Sequence, residues 1–377
     1  MKNILLSSAA IVLLAGAASA EVTWTGDAEI GYNDDVEDGV YWDAGLYVTM
    51  SQELNNGWTA SAVLDVDLDN GTTYSLGDTS TSDWVLTLSN DMFSFSAGDV
   101  DTAMASFTYV PGLFALTDAL DDGFGFDTLS DDSSDYLGAD AGLLVSATYG
   151  QFTGVYSAVE VAGDLGAQQL FLGGDFDVVE AGFFYAEEDT TASFASEQIA
   201  LTLAGSFAGF EVTGSYGTTD YFGLGDLTAY GIQVAYPVGP VTVGAYYTAY
   251  DVDGGSVDPA YGISVDYAEG PITLAAYYGV GVVFDGSSII DDAAEYAIEG
   301  AYDMGNGLVV TAGYIDGDDN DDNDFASYIV AEYDLGGGAS FLASYADAVV
   351  EGTDDIDTGV GGYELNDGAT LSLTFSF

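Results

Sequence analysis

The sequence predicts an all-β chain folded as a transmembrane antiparallel β-barrel of 16 to 20 strands, and three observations carry that prediction. Apolar and polar residues alternate strictly along many short runs, the pattern of strands with one greasy and one wet face. Tight turns alternate with longer, Asp-rich connections, the layout of a barrel with short turns at one end and polar loops at the other. A short leader of secretory type stands ahead of both.

The leader comes first. Met1–Ala20 opens with Lys2, continues as the apolar run Ile4–Ala15 and ends Ala18-Ser19-Ala20 before Glu21. Charge, short apolar middle and small-residue ending are the parts of a signal peptide. A membrane helix needs about 20 apolar residues in a row. Residues 1–20 are therefore read as a leader and 21–377 as the barrel.

Composition supports this reading by exclusion. The 377 residues carry 63 Asp and Glu, one Lys, no His and no Cys, for a net charge of −62. A nucleic-acid partner is excluded, because phosphate neutralisation needs Lys or Arg. Thiol and imidazole nucleophiles and the usual zinc ligands are absent by composition. Charged residues make up 17%, below the roughly 25% of ordinary soluble domains, so the imbalance reflects missing bases and not surplus acids. Disorder would require low hydrophobicity, which 48% hydrophobic and 14% aromatic residues contradict.

Strand candidates begin near Val22, Val40, Trp58, Asp83, Met92, Ala141, Phe152, Gln168, Val178, Gln198, Phe210, Thr228, Val241, Tyr261, Ile272, Ala294, Leu308, Phe325, Ala339 and Ala369. The last is the clearest. Leu371, Leu373, Phe375 and Phe377 share one face, and Thr370, Ser372, Thr374 and Ser376 the other. Tight turns fall at Asn55-Asn56-Gly57, Asn90-Asp91, Gly150-Gln151, Ala208-Gly209, Pro237–Pro240, Glu269–Pro271, Gly305–Gly307 and Gly336–Gly338. All five Pro lie in connections, as strands that need every backbone donor require. Longer acidic loops are expected between the turns. One, Val100–Ala139, is far beyond ordinary length, and loops of that size are usually functional.

On these residues the chain resembles the Gram-negative general-diffusion porins. The likeness rests on the leader ending Ala18-Ser19-Ala20, on Phe93-Ser94-Phe95-Ser96-Ala97-Gly98-Asp99 feeding the long third loop, and on the terminal Phe377. The resemblance implies that residues 100–139 fold into the lumen as a constriction loop and that Phe377 is an assembly signal read by the barrel-assembly machinery. It also implies a homotrimer in the outer membrane of a Gram-negative bacterium, surrounded by lipid and lipopolysaccharide. Two departures stand out: the family usually has sixteen strands, and its constrictions oppose loop acids with Arg and Lys on the wall. This chain has no such bases.

Alternation places Asp65, Asp67, Glu211, Asp266, Glu299 and Glu332 on the lumen-facing wall, and the resemblance places Asp118, Asp121, Asp122 and Asp127 at the constriction. An acid-only lining favours cations, so the expected function is passive diffusion of small hydrophilic solutes and ions with a cation preference. The alternative is a secreted or surface-attached acidic β protein binding calcium or carbohydrate. Asp316, Asp318, Asp322 and Asp324 are candidates for loosely bound Ca or Mg ions, which prefer clustered carboxylate oxygens. The EF-hand pattern is not met, since Asp321 stands where Gly is required and Ser327 where the bidentate Glu belongs. No cofactor is expected, and no base, nucleophile or triad marks an enzyme. Trp24, Tyr47, Trp58, Trp84, Tyr236, Tyr267 and Tyr302 are expected in belts at the membrane interface.

Overall fold

The computed structural model describes residues 20–377 except 35–38, 55, 70–83, 111–138, 162–163, 189–194, 222–224, 253–257, 286–287, 319–324 and 349–354. Its strands are Glu21–Asn33 (β1), Val40–Glu53 (β2), Thr59–Asp69 (β3), Trp84–Ser89 (β4), Phe93–Gly98 (β5), Ala139–Tyr149 (β6), Phe152–Val161 (β7), Asp164–Asp175 (β8), Val179–Glu188 (β9), Ala195–Phe207 (β10) and Phe210–Tyr221 (β11). They continue with Gly225–Val238 (β12), Val241–Val252 (β13), Ala260–Glu269 (β14), Ile272–Asp285 (β15), Ser288–Gly305 (β16), Leu308–Asp318 (β17), Phe325–Gly336 (β18), Ala339–Ala348 (β19), Asp355–Asp357 (β20), Glu364–Asn366 (β21) and Gly368–Ser376 (β22). A 3₁₀ turn, Ala103–Ser106, follows β5.

Twenty of these strands form one antiparallel sheet in which each of β1 to β18 pairs with the next and β22 pairs with both β19 and β1. The sheet therefore closes on itself and has no edge, the condition under which a sheet can cross a membrane. Most strands have 10 to 14 residues, enough for a tilted crossing of the hydrocarbon layer. β20 and β21 form a separate two-stranded sheet.

The two faces follow the sequence alternation. Trp24, Ile30, Tyr32 and Trp42 lie on one parity of β1 and β2 and are exposed, as are Leu201 and Leu203 on β10, Ile263 on β14 and Ile298 on β16. This is the lipid-facing side, because exposing so many large apolar groups to water is otherwise unfavourable. A secreted protein would have to bury that surface. The opposite parity faces the lumen and carries Thr25, Asp27 and Glu29 on β1, Thr202 on β10 and Ser215 on β11. Tyr47 belongs here, opposite Thr25 and Asp65, and not in the outer aromatic belt expected for it. The reason is register: the outward positions of β2 are already filled by Trp42, Leu46 and Val48, and a Tyr suits either face.

The short turns occur where expected; at Asn306-Gly307 both residues have positive φ, 58° and 85°, the backbone twist a two-residue hairpin requires. Asp175, Asp303 and Asp334 accept from the backbone N–H two residues on, at 3.0, 2.8 and 2.7 Å, so these carboxylates set turns. The opposite end is less uniform than the sequence suggests. β7–β8 and β15–β16 are joined by two residues only, because pairing continues past bulges at Val159/Glu160 and Gly281/Val282. β8 and β16 accordingly begin earlier than expected, at Asp164 and Ser288.

β4 and β5 are only six residues each. β5 ends at Gly98, whose φ of 124° is open to glycine alone, and a Cβ there would overlap the Trp84 carbonyl oxygen. The long third loop starts from this point.

Candidate pore lining

Lumen-facing acids concentrate on the first three strands. Glu29 of β1 lies opposite Asp43 of β2; Asp27 lies two residues from Glu29 on the same parity. Like charges directly across a ladder are destabilising, and this sheet keeps a row of them with no Lys or Arg anywhere beyond Lys2 to offset it. Tyr41 donates from its hydroxyl to Glu29 Oε1 at 3.0 Å, a neutral donor doing what a base would do elsewhere. Asp65 sits two same-face rows from Asp43, opposite Tyr47, and is partly buried. Asp67 takes the position of the same parity between those two rows, opposite Gly45. Asp27, Glu29 and Asp43 were not among the residues singled out from sequence, although Asp27-x-Glu29 has the period of two that marks one face of a strand.

The other wall acids sort into two pairs. Glu211 and Asp266 are exposed and lie near the short-turn end, opposite Ser206 and Thr242 respectively. Glu299 and Glu332 occupy lumen positions of β16 and β18, the first buried and the second half-buried. Glu299 is 5% exposed and accepts from the Tyr328 hydroxyl and, at 3.0 Å, from the Gly359 N–H. Glu332 accepts from the Tyr363 hydroxyl at 2.9 Å. Burial pushes the Tyr363 phenol above its ordinary pKa, and the hydrogen bond and negative charge of Glu332 push the same way, with Thr311 partly offsetting.

Gly359 and Tyr363 belong to the connection between β20 and β21, so this small hairpin rests on the inner wall of β16 to β19. Leu365 is buried in one apolar cluster with Ala297, Ile315, Ala326, Tyr328, Val330 and Ala346. A second segment covers the wall of β7 to β12. The Ala103 N–H donates to Ser157 Oγ at 2.8 Å, the Met104 N–H to Gln169 Oε1 at 2.8 Å and the Val110 N–H to Ser215 Oγ at 3.0 Å. Phe107 packs its ring 5.5 Å from Phe184 and 6.3 Å from Phe171. The start of the third long loop thus runs along lumen-parity residues from β7 to β11. Asp118, Asp121, Asp122 and Asp127 lie outside the described residues.

Of the divalent-ion candidates, Asp316 is engaged otherwise: its Oδ2 accepts from the hydroxyls of Tyr296 and Tyr314 at 2.6 and 2.7 Å. Asp322 and Asp324, and the side chain of Asp318, lie outside the described residues. Among the described residues no group of three Asp or Glu is arranged to hold a metal ion. At the barrel seam, Phe377 exchanges backbone hydrogen bonds with Gly26 at 2.7 and 2.8 Å and leaves its ring 72% exposed.

Residues 7–283 match the sequence profile described as Gram-negative porin. No curated protein sequence matches the chain. Among solved structures, a porin refined at 1.8 Å is similar at 18% identity and a TM-score of 0.46, over 95% of this chain and 100% of that one. A multiply substituted mutant of the Rh. blastica porin is similar at 17% identity and a TM-score of 0.44 over the same shares. With a closed twenty-strand barrel, an apolar outer face and this profile match over most of its length, the chain belongs to the Gram-negative porin family, whose members are non-enzymatic channels of the outer membrane.

Proposed function

We propose that the barrel is a water-filled channel for passive diffusion of small hydrophilic solutes and ions, with a preference for cations set by an acid-only lining. One observation supports this most: the lumen-facing row Glu29, Asp43 and its neighbours Asp27 and Asp65, in a chain with no Lys or Arg beyond Lys2. A carboxylate-lined, low-dielectric wall concentrates cations and repels anions. The third loop, anchored by Ser157, Gln169 and Ser215, continues across the lumen in this reading, bringing Asp118, Asp121, Asp122 and Asp127 to the narrowest part. No resident cofactor is needed; Ca or Mg ions would be held loosely, by the outer loops and lipopolysaccharide.

The same reading makes residues 1–20 a removed leader, Phe377 the residue read by the assembly machinery, and the working form a homotrimer. The deciding experiment is a reversal potential across a planar bilayer holding the purified protein under a salt gradient. A potential of the sign set by cation flow is expected. An anion-selective potential overturns the proposed lining, and absence of conductance overturns the open channel.

A further inference from the structure

The β20–β21 hairpin is held in an unusual way. It pairs with no barrel strand, and its two strands of three residues each form a sheet of their own. Such a hairpin is marginal by itself, so the wall decides its position. Its root is fixed: the Asn33 side chain, fully buried, donates to the Asp367 carbonyl at 2.8 Å and to Thr370 Oγ1 at 2.9 Å, and Asp34 accepts from the Ala369 N–H at 2.6 Å. Its arm is held by the Gly359 N–H on Glu299, the Tyr363 hydroxyl on Glu332 and Leu365 in the apolar cluster. The arm itself contains Asp355, Asp357 and Glu364 and meets two further carboxylates on the wall, Glu299 and Glu332. Neutral donors and one apolar contact therefore oppose like-charge repulsion.

From this we infer that the Asp355–Asn366 hairpin is a second constriction element. Docked, it narrows the bore and covers Glu299 and Glu332. Released about its fixed root, it widens the bore and adds both carboxylates to the lining. The inference rests on reading the barrel as an open channel and goes beyond it, because the long third loop is not involved. It also gives the two covered acids separate roles in the two positions: anchors when the hairpin is docked, cation-attracting groups when it is not.

The test uses the absence of native Cys. Val330→Cys introduces one thiol at a fully buried, lumen-parity position in the cluster that Leu365 completes. Its reaction with a membrane-impermeant thiol reagent, and the single-channel conductance, are compared with and without replacement of residues 355–366 by a Gly-Ser linker of equal length. Expected are protection in the intact chain, rapid labelling in the replaced one, and a rise in conductance and cation preference. Gly359→Val provides a second route to release, since a Cβ at 359 lies 2.6 Å from Glu299 Oε2, and it is expected to act in the same direction. Equal labelling in all forms overturns the docking. Labelling that rises while conductance stays constant overturns the constriction. If the intact protein does not conduct while the labelling difference persists, the open-channel reading has failed and the constricting role fails with it.

Discussion

Tyr363 donates its phenolic hydrogen to Glu332 across 2.9 Å, joining the inner hairpin to a barrel strand 31 residues away in sequence. Burial is the first cause that raises the Tyr363 pKa, and Glu332 adds to it. A phenol whose pKa is higher docked than released favours docking fully below the released value, and that contribution is lost as pH rises through the docked value. Labelling of Val330→Cys, normalised to an exposed Cys control, is therefore expected to increase in alkali above the ordinary phenol range. Tyr363→Phe should remove this dependence. At neutral pH it should raise labelling by roughly tenfold, the lower end for a hydrogen bond to a charged group, since Tyr363 is partly exposed.

Cation preference should depend on the uncovered acids and not on the covered ones. Asp27→Asn combined with Asp43→Asn is expected to lower the cation-to-anion permeability ratio, by at most about fivefold per charge, because an exposed unit charge acts with about 1 kcal/mol at 4 Å in water. Glu299→Gln removes a covered charge that also anchors the hairpin, so a change in the ratio is expected only where Val330→Cys labelling shows release. The ratio should also decline between about 0.1 and 1 M salt, as the screening length falls from roughly 10 to 3 Å. A salt-independent ratio would point to size exclusion instead of charge.

Ser157 and Gln169 hold the first turn of the third loop through the Ala103 and Met104 N–H groups, and both side chains are 2% exposed. Ser157→Ala with Gln169→Ala leaves the buried Ala103 N–H without its acceptor, at a cost of about 1–3 kcal/mol, and leaves the Met104 N–H with the longer bond to Thr102 Oγ1 at 3.3 Å. The barrel should keep its resistance to detergent unfolding on unheated gels. Channel closure under applied voltage should begin at lower voltage, measured in the same bilayers.

Trypsin supplies the simplest check on maturation. The single Lys or Arg in the sequence is Lys2. Heat-denatured protein isolated from outer membranes should pass through tryptic digestion uncut, and mass spectrometry should place its first residue at Glu21. A trypsin-sensitive N-terminus would mean that the leader is retained.

The barrel was readable because each strand states its own orientation. Leu371, Leu373 and Phe375 against Ser372 and Thr374 need no partner to reveal two faces, and twenty such runs give twenty paired strands. Bulges are less readable: past Gly281 the pairing of β15 with β16 shifts by one, and nothing in the local composition announces it. The lining was readable in part. Period two put Glu299 and Glu332 on the lumen parity, but their cover comes from residues 31 and 60 positions away, a distance at which no local pattern speaks. The Glu29–Asp43 row needed the register of β1 against β2, which depends on how the intervening turn closes.

The seam between β1 and β22 has a consequence for the order of events in the cell envelope. Gly26 and Phe377 hold each other by two backbone hydrogen bonds, which extend the β1–β22 seam beyond the Asp27–Ser376 pair. Until β22 pairs with β1, the exported chain carries two raw sheet edges, each a template for pairing with a neighbouring copy. Contacts this distant in sequence form late and slowly. A net charge of −62 keeps such unfinished chains apart in transit. The missing bases thus act before any ion has crossed: they give the waiting chain the mutual repulsion that a slow, end-to-end closure requires.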